Sequence, residues 1–271
     1  MEISKEPTLT IAISTMNSNL ERFVSSFSFE SLSAADEVLI IIQGLDDKVP
    51  NKSLKDFNVI CDEGFGISRS RNLGIENANS DYIWFLDDDV FLYDDSIDKI
   101  KNHLKKNPSV DLHTIRMEYL DNTSYKKYPN KNHLNRINSL RVSSVELIVS
   151  KKFVTQNDIR FNKNLGLGSK FPSTEENVFF LDIFDKGGLI SHYPEFLLNH
   201  EYMDRRTIHF GNEFILKAKG AFCRRYGGIT GFLILGYYSL KCLIVRKNFL
   251  VMLNLFHGYI YAHIIFGLDD E

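Results

Sequence analysis

Residues 81–92 read DYIWFLDDDVFL, an aromatic and β-branched run that meets three consecutive carboxylates, Asp87, Asp88 and Asp89, and then turns apolar again. Adjacent carboxylates in a half-buried position repel one another unless a cation or hydrogen bonds compensate them. A hard divalent cation does this well, because Mg²⁺ binds through one or two carboxylates and completes its octahedron with water and substrate phosphates. The chemistry implied is metal-assisted handling of a phosphate-bearing ligand. The plain alternative is a solvated acidic turn capping the next helix, and the apolar residues on both sides of the run weigh against it. An EF-hand loop starting at Asp87 needs glycine at its sixth position, where Leu92 stands. A phosphatase with an aspartyl nucleophile also places Asp-x-Asp after an apolar strand. That motif ordinarily ends the first strand, whereas this one ends the fourth candidate.

A second acidic pair, Glu175 and Glu176, follows the loop NLGLGSKFPST. A helix starting near Ser173 or Thr174 and ending at Gly187–Gly188 places both carboxylates in its first turn. By spacing alone they complement the positive end of the helix dipole.

The elements that must position these groups alternate in type. LTIAIS, EVLIIIQ, FNVIC and YIWFL have strand length and composition. Between them, Ile67, Arg71, Ile75 and Ala78 recur at helical spacing. After the acidic run, Asp95 or Ser96 caps a helix with Ile97, Ile100 and Leu104 on one face, stopped at Pro108. A further strand is expected at VELIVS, beyond a polar loop rich in Lys and Asn. Strands alternating with helices imply a mainly parallel α/β sheet. In such sheets ligands sit beyond the carboxyl ends of the strands, where the acidic run lies.

At 271 residues the chain is long enough for a substantial core, and its net charge of −3 offers no global field for nucleic acid. Cys61, Cys223 and Cys242 are scattered, without metal-ligand spacing, and read as reduced cytosolic thiols. The opening MEISKEPTLTIAIS is acidic and carries a proline where an export signal needs basic and then apolar residues, so export is not expected.

The segment GFGISRSRNLGIENANSDYIWFLDDDVFL resembles the heart of the family 2 glycosyltransferases of GT-A fold: a Gly, an Arg-Asn pair, a short helix, and an apolar strand ending in Asp-x-Asp. The resemblance runs from about Leu9 to Gly188 and implies a GT-A domain over 1–213. By that resemblance Asp89 holds a divalent metal, Mn²⁺ or Mg²⁺, with Asp87 assisting and His200 as a further ligand. Asp88 lies near the ribose of a nucleotide sugar, Arg71 and Asn72 at the nucleotide pocket, and Thr15 and Asn17, in ISTMNSN, at the base. At the second strand, where an acidic residue is usual, this chain has IIIQGLDD, so Gln43 or Asp46 takes that contact. Glu176 takes the place of the catalytic base, with Glu175 as the fallback. Arg205, Arg206 or His200, in NHEYMDRRTIH, complete the clamp on the leaving diphosphate. The expected reaction is inverting, metal-dependent transfer of a hexose-like sugar, from a UDP-sugar by family habit, to a glycan or lipid-linked acceptor in bacterial surface polysaccharide synthesis. A catalytically inactive nucleotide-sugar-binding or scaffold protein of the same fold is the alternative.

From Phe214 to Leu268 the chain has no Asp or Glu but carries Lys217, Lys219, Arg224, Arg225, Lys241, Arg246 and Lys247. The stretches GITGFLILGYYSL and FLVMLNLFHGYIYAHIIFGL flank KCLIVRK. The first reads as too short to span a bilayer, and the second contains Asn254, His257 and His263. The expectation is a helical appendage over 214–271 that lies on an anionic leaflet, peripheral to the cytoplasmic face of the membrane. A helical hairpin packed on the core is the alternative.

Overall fold

The computed structural model describes residues 6–45, 54–121, 123–124, 126–201, 212–246 and 249–266. The chain forms two compact units. The first comprises 1–65, 70–160 and 182–202, and the second 66–69, 161–181 and 203–271.

The first unit is built on an eight-stranded sheet of order β3-β2-β1-β4-β7-β6-β8-β5. Its strands are β1 (Leu9–Met16), β2 (Glu37–Gln43), β3 (Asn58–Asp62), β4 (Tyr82–Asp87), β5 (Val90–Leu92), β6 (Leu112–Tyr119), β7 (Leu147–Ser150) and β8 (Ile190–His200). β1 pairs in parallel with β2 on one side and β4 on the other, and β3 extends the parallel half. β7 runs antiparallel between β4 and β6, while β6 and β8 are parallel and β5 closes antiparallel on β8. The four strands expected from YIWFL and its three predecessors, and the one expected at VELIVS, are all present. β6, β8 and the three-residue β5 are additional.

The two-residue period of a strand sorts the side chains into layers. Ile11, Ile13, Ile40, Ile42, Trp84 and Leu86 join one buried cluster with Phe23 and Phe27 and with Ile97, Ile100 and Leu104. Those partners come from α1 (Leu20–Ser26) and its end, and from α3 (Ser96–Lys106). The alternate residues Ala12, Ile41 and Phe85 face α2 (Ile67–Asn77) at Gly74, where an added Cβ would lie 3.1 Å from that of Ala12. Glycine there lets α2 settle close on the sheet. The Trp84 indole donates to the Val145 carbonyl at 2.8 Å, so the largest core side chain leaves no polar atom stranded.

α4 (Lys151–Gln156) follows β7 directly, and α5 (Glu175–Asp185) carries the second acidic pair. The remaining helices belong to the second unit: α6 (Glu213–Tyr226), α7 (Gly228–Arg246), α8 (Phe249–Ile260) and α9 (Ala262–Phe266). Asn212 caps α6 by accepting from the Phe214 and Ile215 amides at 2.8 and 3.3 Å. α6 meets its neighbours backbone to backbone. A Cβ on Gly220 would fall 1.9 Å from the Leu255 carbonyl oxygen, and one on Gly258 1.9 Å from that of Lys217. A Cβ on Gly231 would lie 2.3 Å from the Cys223 oxygen, which brings α7 equally near. α7 is one continuous helix whose 18-residue stretch Gly228–Val245 is long and apolar enough, by length and composition, to cross a membrane. The segment GITGFLILGYYSL is therefore the first part of a longer helix that runs on through KCLIVR.

Two histidines in the first unit tie its stability to pH. Burial pushes the His113 imidazole down to about 3 and that of His192 down to about 4. His103 and Arg116 add positive charge nearby, and Thr114 hydrogen-bonds His192 Nδ1 at 2.9 Å. Both rings stay neutral in the fold while the unfolded chain protonates them near pH 6.5. Above that pH they leave stability unchanged, and as pH falls from about 6.5 toward 4 stability is progressively lost. Near pH 5 the expected slope is on the order of 2 kcal/mol per pH unit, because each differentially bound proton is worth about 1.4. Urea unfolding from pH 4.5 to 7.5 measures it, and His113→Phe should flatten the slope by about half.

Candidate functional site

The strand order reverses at β1: β2 lies on one side and β4 on the other. In an open α/β sheet this switch point leaves a crevice beyond the carboxyl ends. Thr15, at the end of β1, and Asp87, the last residue of β4, border it, since Ser14 stands opposite Asp87 in the register. Asp88 and Asp89 form the turn into β5.

The three carboxylates diverge to separate partners. Asp87 Oδ1 accepts from Arg71 Nη2 at 3.0 Å, and the same nitrogen donates to Ser144 Oγ at 2.7 Å. Arg71 is only 3% exposed, so α2 presents a desolvated guanidinium to the strand end. Its neighbour Ser70 donates to Ser14 Oγ at 2.7 Å, and Asn72 is buried beside it. Asp88 Oδ2 accepts from Thr15 Oγ1 at 2.6 Å and Asn19 Nδ2 at 3.4 Å, while Arg22 reaches Oδ1 at 3.4 Å. Asp89 Oδ2 meets His200 Nε2 at 3.1 Å. The register causes this last contact, because β5 pairs with β8 so that Val90 stands opposite His200. Burial works against the ionised form of Asp89, yet the hydrogen bond and charge of His200, with Arg22 beyond, outweigh it and lower its pKa.

His200 is oriented from behind. Its Nδ1 lies 2.6 Å from the Glu201 carbonyl, which can only accept, so Nδ1 is protonated, and the hydrogen bond to Asp89 places a second proton on Nε2 that a metal would have to displace. The carbonyl contact is how protein imidazoles are set for metal binding. Two donors 3.1 Å apart also fit adjacent corners of an octahedron with bonds of about 2.1 Å. With Nε2 deprotonated, Asp89 and His200 would supply one oxygen and one nitrogen ligand to a divalent cation such as Mn²⁺. Among the described residues no group of three or more His, Cys, Asp or Glu gathers for an ion. Asp87, expected to assist the metal, faces Arg71.

Of the other expected residues, Gln43 is buried at the end of β2 and Asn17 is exposed in the turn after β1. Asp46, Arg205 and Arg206 lie outside the described residues. Asn19, Arg22 and Ser144 join the site without having been anticipated. Asp62 is a fourth addition: it pairs with Gln43 across the ends of β3 and β2 and accepts from the Gly64 amide at 3.2 Å. Its signal was available, as the last residue of a strand pointing its carboxyl end at the same edge.

Glu175 and Glu176 open α5 in the second unit, as expected. The residue before them, Thr174, has φ 71°, is 3% exposed, and its hydroxyl finds no hydrogen-bond partner among the described residues. A non-glycine residue held there costs about 1–3 kcal/mol, so strain is stored directly ahead of the acidic pair. Glu175 is buried, and Gly166 (φ 93°) passes over it. Glu176 is electrostatically coupled to Lys219 of α6. Burial lowers the lysine's pKa, and the Glu176 charge opposes that shift. The Lys219 ammonium also lies 5.3 Å from the centre of the Tyr238 ring. Nothing in the sequence linked Lys219 to the acidic pair.

The Gly166 contacts are testable. A Cβ there would sit 2.6 Å from Ile67 Cγ2, 3.0 Å from Glu175 Cδ and 3.1 Å from Ser68 Oγ, at a φ that side chains resist. Gly166→Ala should therefore lose about 1–3 kcal/mol and displace Glu175. Thermal unfolding reads the first effect, and a crystal structure of the variant reads the second.

The sequence profile described as Glycosyl transferase family 2 matches residues 18–167, more than half of the 271. No curated protein matches the chain at a significant level. Among solved structures, TarS 1-349 of S. aureus is similar at 14% identity and TM-score 0.58, over 96% of this chain and 72% of that one. The same TarS fragment in complex with UDP-GlcNAc gives 15% and 0.58, over 96% and 73%. Glucosyl-3-phosphoglycerate synthase from Mycobacterium tuberculosis, in complex with Mn²⁺, UDP and phosphoglyceric acid, gives 13% and 0.56, over 82% and 79%. The mixed sheet with its flanking and C-terminal helices is the GT-A glycosyltransferase fold. With that profile covering β2 to β7 and the acidic run over more than half of the chain, the chain belongs to glycosyl transferase family 2.

Proposed function

We infer that this chain is an inverting glycosyltransferase that takes a nucleotide sugar, a UDP-sugar, with a divalent cation, and transfers the sugar to a glycan or lipid-linked acceptor. Surface polysaccharide synthesis in a bacterium is the process that such an acceptor suits. The observation that carries the reading is the Asp89–His200 pair, set by strand register at the switch point of a family 2 domain. UDP-sugar use is supported by the UDP-GlcNAc in the similar TarS structure, and metal use by the Mn²⁺ and UDP in the similar synthase structure.

Asp89 and His200 would hold the cation, which when bound neutralises charge on the diphosphate as the leaving group departs. Thr15 and Asn19 fix Asp88 at the end of β1, beside the crevice. The buried Arg71 fixes Asp87 and keeps a positive charge at the same edge. An acceptor hydroxyl is a poor nucleophile near neutral pH, so a carboxylate must take its proton as the new bond forms. Glu176 is that base, and direct displacement inverts the anomeric centre.

The decisive experiment is a screen of the purified chain against sugar nucleotides with Mg²⁺ or Mn²⁺. Asp89→Ala should abolish metal-dependent UDP binding. Glu176→Gln should bind donor as before while turnover falls about 10²–10⁴-fold, the usual cost of losing a positioned base. A large loss in Glu175→Gln with none in Glu176→Gln would move the role by one residue. Binding without turnover on any acceptor extract would favour the inactive scaffold, which Gln43 and Glu176 raise as departures from the family pattern. If no sugar nucleotide binds and EDTA changes nothing, the reading fails.

A further inference from the structure

In the second unit, α7 and α8 show apolar residues on two sides of each helix. On α7 one face is buried, with Ile234, Leu235 and Cys242 at 7%, 1% and 0% exposure. The opposite face carries Ile229, Phe232, Leu233, Leu240 and Ile244, each between 59% and 82% exposed. Their spacing of three, four and seven places them on a single stripe. α8 repeats the pattern: Met252 and Leu255 are buried, while Phe249, Leu250 and Leu253 are 60%, 70% and 45% exposed. Helices that face water carry polar residues on the outer side, and contiguous exposed apolar faces mark contact sites.

The charge around these stripes identifies the occupant. No Asp or Glu occurs from Phe214 to Leu268, whereas seven Lys or Arg do. Lys241 is exposed on the flank of α7 beside the stripe, with its ammonium 5.5 Å from the centre of the Tyr237 ring, and Arg224 is exposed on α6. These basic residues lie on α6, on α7 and just after it, while α8 carries no Lys, Arg, Asp or Glu, and a protein partner does not require that absence of acid beside the stripes. A phosphate-bearing lipid leaflet does, and it also accepts an apolar face beneath basic heads. The close backbone packing of α7 against α6 at Gly231 and of α8 against α6 at Gly220 and Gly258 holds the inner faces within the unit. That leaves the outer stripes for the lipid and favours helices lying in the interface over a helix crossing it.

We propose that the outer faces of α7 and α8 form a docking surface for an anionic lipid leaflet, which the chain contacts peripherally. This surface stands on the second unit alone and does not depend on the donor chemistry inferred above. The probe is co-sedimentation of the full chain with vesicles of phosphatidylcholine, with or without 30% phosphatidylglycerol as an added choice of composition. Binding to the anionic vesicles is expected, weaker on the neutral ones, and reduced but not abolished by about 0.5 M salt, because screening removes the charge contribution and leaves apolar burial. Leu233→Asp with Leu250→Asp should lower the anionic-vesicle partition at least about tenfold. Both side chains face outward, so circular dichroism should show the fold retained, and UDP affinity should be unchanged. Absence of sedimentation with both vesicle types overturns the proposal. So does equal binding by the double variant, or a wild-type dimer that this variant converts to monomer while vesicle binding is absent. A chain soluble only in detergent would assign α7 a spanning role and overturn the peripheral one.

Discussion

Everything at the candidate site depends on β4 lying between two unlike neighbours. On one side it pairs in parallel with β1, which fixes the level at which Asp87 emerges beside Ser14. On the other it pairs antiparallel with β7, and the sheet beyond it changes sense. Its residues Ile83 to Leu86 are all buried, so a one-residue slip would exchange the side chains facing the two helical layers. A strand so specified cannot drift, and the carboxylates that follow it leave the core at one defined point.

That point is where unlike requirements of charge are reconciled. A shared cation is the simplest answer to three adjacent acids, but the chain instead turns each toward its own partner. A buried guanidinium takes Asp87, a hydroxyl, an amide and a surface arginine take Asp88, and an imidazole takes Asp89. Repulsion within the run is thereby relieved by three separate partners.

The parallel half of the sheet was legible because each of its strands is a short apolar run bounded by turn residues. The antiparallel half was less so. β8 contains Pro194 and a polar alternation that reads as loop, and β5 is three residues long, below any useful window. The acidic run and the Glu pair were visible because they sit at the ends of elements that periodicity could locate, whereas Thr15 and Arg71 came from the resemblance to the family. Asn19 lay in the turn already noticed and Arg22 in the helix after it, yet only the direction of that helix shows which polar side chains reach Asp88. Lys219 was out of reach, since its relation to Glu176 arises from tertiary packing of a helix distant in sequence. The length of α7 was misjudged because its lysine was taken as a boundary, when a long helix can carry one on an outer face.

The missing side chains at Gly220 and Gly258 bear on how the helical unit moves. Glycine in a helix interior costs about 1 kcal/mol relative to alanine, so each of these helices is locally weaker alone than its apolar composition suggests. Pressed together, their backbones leave no intervening layer of side chains that could shear or change rotamer. Fraying of α8 would therefore strip α6 of its neighbour at the same moment. The amides of the two helices should behave as a single cooperative opening unit in hydrogen exchange, with shared protection on both sides of the glycine contact.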